Sequence, residues 1–122
     1  ACNGGGPMRT GFQGEVIEDA ERLHAALKES VTDAVAAAIP DIDFGHYVVV
    51  AAYAEMQISC DYGFAVTAAR ELDAEVEVEA TIFVPCGILS GAVAWPSAYA
   101  RIPRRDKPFV FVEKMAPAPG CK

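Results

Sequence analysis

The clearest pattern along the chain is a strict alternation of polar and apolar residues from Glu75 to Ile82. Successive side chains of a β-strand point to opposite faces of a sheet, so the alternation predicts a strand over Glu75–Val84. The apolar members are expected to face the core: Val76, Val78, Ala80 and Ile82. The other members are expected to form a solvated face that discourages edge pairing: Glu75, Glu77, Glu79 and Thr81.

Other strand patterns lie on both sides of this segment. The run Tyr47–Ala54 is apolar at both parities, which predicts a central strand covered on both faces. Gly63–Arg70 is predicted to pair with Glu75–Val84 through a short hairpin at Glu71–Ala74. Gly14 weakens the earliest strand pattern, because glycine has no side chain to pack. The remaining predicted strands are Thr10–Ile17, Ile88–Trp95, Ser97–Ile102 and Pro108–Glu113.

Between the first two strands the hydrophobic period changes to that of a helix. The spacing i, i+3, i+4, i+7 predicts an amphipathic helix over Glu18–Ser30, expected to cover one face of the central strand. The residues that follow this spacing are Ala20, Leu23, His24, Leu27 and Val31. The alanine-rich segment Val31–Ile39 continues the helix or forms a second short one, and Pro40 ends it.

These elements predict an α+β fold. It is a small, mostly antiparallel β-sandwich-like domain of six or seven strands, with one or two helices packed on a sheet face. A chain of 122 residues is long enough to bury one self-sufficient core. The domain is placed at residues 10–114, after a flexible linker at residues 1–9 and before a Pro/Ala-rich tail at residues 115–122.

Charge excludes some classes of partner. Ten basic and seventeen acidic residues give a formal net charge of −7. Binding to nucleic acid or to anionic lipid relies on an excess of Lys and Arg, so neither partner is expected. The longest mostly apolar run, Tyr47–Ala54, is far shorter than the ~20 residues that a membrane helix needs.

The four cysteines indicate an oxidising compartment. Cys2, Cys60, Cys86 and Cys121 contain no CxxC spacing, which argues against a zinc knuckle or a thioredoxin-type motif. Three disulfide pairings are possible; Cys60–Cys86, at the edges of two predicted strands, is favoured, with Cys2–Cys121 second. The alternative is four unpaired thiols in a cytosolic protein.

The residues around Cys2 leave a second possibility open. A small residue before a cysteine, followed by a flexible polar spacer, is how a bacterial lipoprotein begins once its signal peptide is removed. Lipidation of Cys2 would leave Cys121 without that disulfide partner. Both possibilities predict an exported protein, either periplasmic, anchored at the cell surface or secreted. Membrane contact is expected only through a lipid at Cys2.

Candidate catalytic groups are few. Neither GxSxG nor HExxH occurs, and His24 is expected to be a half-buried structural residue of the helix. His46 follows Asp41 and Asp43, but this spacing matches no established metal site, and Asp43 is equally suited to capping a turn. Cys60 or Cys86 could act as a nucleophile with His46 as its base, but a disulfide bond would remove the thiolate that this reaction needs. We therefore predict no catalytic residue, no metal and no cofactor.

Several short segments carry a resemblance to a known family. The segments are Ile42-Asp43-Phe44, Val48-Val49-Val50, Gly63-Phe64-Ala65-Val66, Val84-Pro85, Trp95-Pro96, Arg101-Ile102-Pro103 and Phe109-Val110-Phe111. Their order over nearly the whole chain resembles the family of the PrcB carboxy-terminal domain. The chain departs from that family before the Gly-aromatic turn, where Ser59-Cys60-Asp61-Tyr62 replaces the usual Thr-Gly. The resemblance implies a non-catalytic exported bacterial domain that stabilises or assists an extracellular protease complex.

Two other functions remain open. The Gly-aromatic loop is loosely similar to that of chagasin-like inhibitors of cysteine proteases, and an envelope domain without a discrete site is the other alternative. Trp95 is expected to fill the core rather than to anchor a partner. The residues predicted to contact a protein lie in two loops that strands would hold at one exposed end. They are Asp61, Tyr62, Gly63, Phe64, Gly87, Ile88, Leu89, Ser90 and Gly91.

Overall fold

The computed structural model describes residues 11–30, 41–59, 61–87 and 93–120. The predicted second helical segment, Val31–Ile39, and most of the predicted strand Ile88–Trp95 lie outside them. At the described end of that strand, Ala94 forms a single bridge with Gln57. The described elements, in order, are β1 (Gln13–Ile17), α1 (Ala20–Ser30), β2 (Tyr47–Tyr53), β3 (Gly63–Glu71), β4 (Val76–Val84), β5 (Ser97–Pro103) and β6 (Phe109–Pro117).

The strands form two sheets of three strands each, with the orders β1-β2-β5 and β3-β4-β6. The α+β class predicted from the sequence is confirmed. Three of the four strand pairings are antiparallel, whereas β4 and β6 run parallel to each other. Strand β6 extends to Pro117, beyond the point at which the Pro/Ala-rich tail was predicted to begin.

The central position of β2 follows from its two apolar faces. One face of its sheet packs against α1, and the other packs against the second sheet, where Val50 meets Val76 and Val78. The prediction that this strand is covered on both sides is confirmed. The described layers are therefore helix, sheet and sheet. The core on the helix side consists of Ile17, Leu23, Ala26, Leu27, Val49 and Ala51.

Helix α1 begins after an acidic cap. The backbone N–H of Arg22 donates to Asp19 Oδ1 at 2.8 Å, which satisfies one of the amides left unpaired at a helix start. The buried stripe contains Leu23, Ala26 and Leu27. His24 is exposed, so the expectation of a half-buried histidine is wrong. Ala26 completes the stripe instead, because the helix is rotated away from the His24 side.

Strand β4 confirms the predicted inward row and corrects the outward one. Val76, Val78, Ala80 and Ile82 are all buried. Glu79 and Thr81, expected on a solvated face, are only 8% and 6% exposed. Side chains from both neighbouring strands cover them: Lys114 Nζ lies 2.7 Å from Glu79 Oε1, and the Thr67 hydroxyl lies 2.7 Å from that of Thr81.

The side chains that cover Glu79 also keep its carboxyl group ionised. The Thr67 hydroxyl donates to Glu79 Oε2 at 3.0 Å, and Arg70 Nη1 lies 3.5 Å from Oε1. The hydrogen bonds from Lys114 and Thr67, followed by the nearby positive charges, lower the pKa of Glu79 despite its burial. The outer face of this sheet therefore holds an ionised, internally neutralised glutamate.

Candidate protein-contact surface

The two predicted contact loops lie at the same end of the second sheet. The antiparallel register pairs Gly63 with Phe83, so the start of β3 lies beside the end of β4. Asp61 and Tyr62 lead into β3, and the segment Pro85–Gly87 follows β4. Ile88, Leu89, Ser90 and Gly91 lie outside the described residues, so their predicted role stays a prediction.

Within these loops the described residues differ in accessibility. Asp61 and Gly87 are exposed, whereas Tyr62, Gly63 and Phe64 are half-buried. Phe64 pairs with the buried residue Ile82, and paired residues share a face of the sheet. The side chain of Phe64 therefore belongs to the inward row of β3.

A local turn holds the start of the first loop. Ser59 is 1% exposed, and its hydroxyl donates to Asp61 Oδ2 at 3.1 Å. The backbone N–H of Asp61 in turn donates to Ser59 Oγ at 3.0 Å. These two bonds fix Asp61 at the end of the domain, directly before Tyr62.

One cysteine lies in the second loop. Cys86 is disulfide-bonded, and its partner cysteine lies outside the described residues. Cys2, Cys60 and Cys121 also lie outside them, so the pairing Cys60–Cys86 stays a prediction. The bond at Cys86 ties this loop covalently to another part of the chain.

The same end of the fold carries a short extension of the first sheet. Beyond the pair Tyr53↔Ser97, Gln57 and Ala94 exchange two backbone hydrogen bonds, N to O, of 2.7 and 3.0 Å. Three residues separate these pairs on one side, Ala54 to Met56, but only two on the other, Trp95 and Pro96. The extra residue is a β-bulge, a feature that redirects the side chains after it.

In this extension the usual arrangement of polar and apolar side chains is inverted. Gln57 and Ser59 are buried, at 9% and 1% exposure, whereas Met56 and Ile58 are exposed at 47% and 61%. On the opposite segment Ala94 is buried, Val93 is 47% exposed and Trp95 is half-buried. We call the outward row the ribbon surface; its members are Met56, Ile58, Val93 and Trp95.

The carboxyl group of Glu113 on β6 is perturbed by its surroundings. Partial burial, and next the negative charge of Glu55, raise the pKa of Glu113. Glu55 directly precedes Met56, and Glu113 lies on β6 in the other sheet. Met115, on the same face of β6 as Glu113, is 66% exposed. Glu113 and Met115 pair with the buried residues Ala80 and Ile82, so both belong to the inward row of β6, on the side from which the ribbon surface faces away.

The opposite end of the domain carries the histidine considered as a metal ligand. His46 Nδ1 lies 2.6 Å from Asp43 Oδ2, and the backbone N–H of Gly45 donates to Asp43 Oδ1 at 3.0 Å. The hydrogen bond with His46, and next that from Gly45, lower the pKa of Asp43. Asp43 thus caps the turn before β2. The described residues contain no group of three His, Cys, Asp or Glu placed to hold a metal ion.

A shallow groove of about 430 Å³ also lies at that end. Its residues are Val16, Glu18, Arg105, Asp106, Lys107, Pro108 and Phe109. Both cations are already paired with one carboxylate, because Arg105 Nε and Lys107 Nζ lie 2.7 and 2.9 Å from the two oxygens of Glu71. Since Glu18 and Asp106 add negative charge, the groove offers no excess of positive charge to an anionic ligand.

No protein-family model, no curated protein and no solved structure matches this chain. Among the described helices, none is long and apolar enough to cross a membrane. Sequence reasoning did not single out Met56 and Ile58, although they alternate with Glu55, Gln57 and Ser59. That alternation signals a strand, but its usual interpretation would bury the two apolar residues.

Proposed function

We propose that this domain is a non-catalytic module that binds another protein through the ribbon surface and the loop at Asp61 and Tyr62. The inverted alternation from Met56 to Ser59 carries the proposal. Exposed isolated apolar residues are ordinary, but a row of them opposite buried polar residues is not. Such a row is typical of a contact surface rather than of a folding requirement.

The bulge supports this interpretation. If the strand continued past Tyr53 in regular alternation, with no bulge, Met56 would fall on the face that holds Val50 and Ala52, and this face packs against the second sheet. The fold instead buries Gln57, whose side-chain amide donates to the carbonyl oxygen of Glu55 at 3.1 Å. Burying an exposed side chain such as Ile58 in an interface contributes roughly 1–2 kcal/mol, so a partner would recover this apolar surface.

The biological setting follows the resemblance to the PrcB carboxy-terminal domain. It favours an exported bacterial protein that assists or stabilises an extracellular protease complex. The disulfide bond at Cys86 supports an oxidising compartment. Lipidation of Cys2 and a Cys2–Cys121 disulfide remain competing proposals for the start of the chain.

The test is a differential capture with matched variants. Immobilised wild type, Ile58→Asp and Leu72→Asp are incubated with the envelope and secreted fractions of the source organism, and bound proteins are quantified by mass spectrometry. Leu72 is 43% exposed but lies at the other end of β3, so it controls for an added charge on an apolar surface residue. The expected result is a protein retained by wild type and Leu72→Asp and reduced at least about tenfold by Ile58→Asp.

Two further readouts complete the test. The captured protein is purified and its affinity measured for all three forms, with thermal melts showing that each variant is folded. Equal capture by all three forms would contradict the proposed surface. If the partner is a protease, its activity with and without the domain separates an accessory role from the chagasin-like inhibitory alternative.

A further inference from the structure

We propose that two copies of this chain pair through the outer edge of β6, antiparallel to each other, and so join their three-stranded second sheets into one continuous sheet. The inference goes beyond the proposed function, because it concerns a second copy and a surface other than the ribbon surface. Three observations carry it: an open row of backbone hydrogen-bonding groups, the regularity of this edge, and a register in which its side chains complement each other.

The backbone of β6 is hydrogen-bonded to β4 on one side only. The N–H of Val76 donates to the Pro108 carbonyl oxygen at 2.9 Å, and the N–H of Ala118 donates to that of Val84 at 3.0 Å. Every second residue of a parallel strand faces its neighbour, so the even-numbered residues of β6 face β4 and the odd-numbered ones point their N–H and C=O groups away from it. Strand β6 is the last strand of its sheet. No backbone hydrogen bond between described residues uses the outward groups of Phe109, Phe111, Glu113 and Met115.

An edge of this kind fits an extended polypeptide backbone. Its outward donors and acceptors recur every two residues, about 6.6–6.8 Å apart, and another strand has the same spacing. The other outer strands carry features that discourage pairing: β1 has only five residues, β3 is bulged between Val66 and Ala68, and β5 ends in Pro103. Strand β6 instead keeps an unbroken register over nine residues, from Phe109 to Pro117.

A two-fold axis restricts how two β6 edges can pair. Outward-facing residues must lie opposite each other, so odd-numbered residues pair with odd-numbered ones and the axis passes through a residue. An axis at Glu113 or Lys114 would place like charges directly opposite each other, which is destabilising. An axis at Phe111 would leave fewer residues paired. An axis at Val112 avoids both problems and pairs the whole segment Phe109–Met115 of each copy.

In this register the exposed side chains of the edge cover each other. Met115, which is 66% exposed, lies opposite Phe109 of the partner subunit, and a thioether next to an aromatic ring is a favourable contact. Val110, which is 39% exposed, lies opposite Lys114 of the partner subunit, whose aliphatic stem covers it. Glu113 lies opposite Phe111 of the partner subunit, so the two glutamates do not face each other.

Cysteine cross-linking tests the pairing and its register together. Even-numbered residues form the non-hydrogen-bonded pairs, so the Cα atoms of the two Val112 residues would lie about 4.5 Å apart, a distance that a disulfide can span. Val112→Cys is therefore expected to give a covalent dimer on a non-reducing gel after mild oxidation. Val110→Cys is the matched control, because its two copies would lie about 13 Å apart. Wild type run beside them measures any exchange of the native cysteines.

Sedimentation equilibrium measures the association without a cross-link. Wild type is expected to approach twice the monomer mass as its concentration rises. Met115→Pro removes one outward N–H and leaves the hydrogen bonds to β4 in place, so it should weaken association at least about tenfold. Met115→Ala keeps this N–H and should weaken association less. Thermal melts show that each variant is folded.

Three outcomes would overturn the inference. The first is a wild-type protein that stays monomeric at about 0.5 mM, where even a weak dimer with a millimolar Kd is populated. The second is a Val112→Cys variant that cross-links no more than Val110→Cys. The third is a folded Met115→Pro variant that associates as tightly as wild type. Each of them leaves the proposed function standing, because that function is tested by capture at Ile58.

Discussion

The ring of Phe111 lies directly over the backbone of Gly14: a β-carbon at position 14 would stand 2.2 Å from Phe111 Cγ. Gly14 is on β1 of the first sheet, and Phe111 is on β6 of the second. The glycine that weakens the strand pattern in the sequence is therefore a place where the two sheets approach each other closely. Its role is packing, since its backbone is not left-handed.

Gly14→Ala is expected to destabilise the domain by about 1–3 kcal/mol, the usual cost of overpacking a core. Rotation of the Phe111 ring about χ2 leaves its Cγ atom in place, so relieving the contact requires a change of χ1 or a shift of the backbone. Urea unfolding followed by circular dichroism measures the change. The double variant Gly14→Ala/Phe111→Ala should lose less stability than the sum of the two single variants, and strict additivity would show that the contact is absent.

Arg104 joins three segments of the chain, so Arg104→Ala is expected to cost about 1–3 kcal/mol. Its guanidinium donates twice to the Phe44 carbonyl oxygen, at 2.9 and 2.7 Å, and once to Glu18 Oε1 at 3.1 Å. Arg105→Ala is the matched control, because removing an exposed ion pair costs about 1 kcal/mol or less. Unfolding midpoints that fall equally for both variants would contradict the proposed difference.

The ion pairs of Glu71 predict an acid-sensitive contribution to stability. Hydrogen bonds from Arg105 and Lys107 lower the pKa of Glu71 from its usual 4.5 to about 2. A carboxyl whose folded pKa is depressed stabilises the fold above its unfolded pKa, and this contribution disappears as the pH falls from about 4.5 through 2. Glu71→Gln should therefore be less stable than wild type at pH 6 and should approach it near pH 2. Chemical denaturation at a series of pH values checks this, and a constant difference would contradict it.

Glu113 predicts the opposite behaviour. Its folded pKa is raised, so its contribution is favourable at low pH and is lost as the pH rises through the folded value. Glu113→Gln is therefore expected to raise the melting temperature at pH 7 and to leave it nearly unchanged below about pH 4, where the carboxyl is protonated. Asp73→Asn serves as the control, because Asp73 is an exposed acid between β3 and β4. A lower melting temperature for Glu113→Gln at pH 7 would show that this carboxylate is stabilised by a contact instead.

The predicted bond between Cys60 and Cys86 can be tested by peptide mapping without reduction. Such a bond would close a loop of about 27 residues and contribute roughly 3–4 kcal/mol by the chain-entropy estimate. Reduction should accordingly lower the urea midpoint. A linked peptide joining Cys86 to Cys2 or Cys121 would replace this pairing with another one.

The sequence predicted the strands well where their pattern depends only on local burial. Alternation identified the inward row from Val76 to Ile82, and the double-sided apolar run identified β2. It could not predict the burial of Glu79, because the covering side chains of Arg70 and Lys114 belong to two other strands. The parallel pairing of β4 with β6 could not be predicted either. The alternation of a strand indicates which face of the sheet each residue lies on, but not which strand lies beside it.

The candidate contact surface likewise depends on structure that a local sequence pattern does not reveal. The turn residues Asp61 and Tyr62 could be recognised from local sequence, but the exposure of Met56 and Ile58 depends on one extra residue in a bulge. A change of one residue in register exchanges the two faces of a strand. Periodicity alone therefore assigns these two side chains to the core.

The strands of the two sheets alternate along the chain, so during synthesis one sheet stays incomplete while strands of the other sheet are being made. β1 and β2 belong to the first sheet, β3 and β4 to the second, β5 to the first again and β6 to the second. β4 emerges about 25 residues before β6, the strand that completes its sheet, and at ribosomal rates of roughly 5–20 residues per second this takes at least a second. During this time the β4 edge has no native neighbour on one side, so the unfinished chain exposes a pairing edge that the completed domain does not.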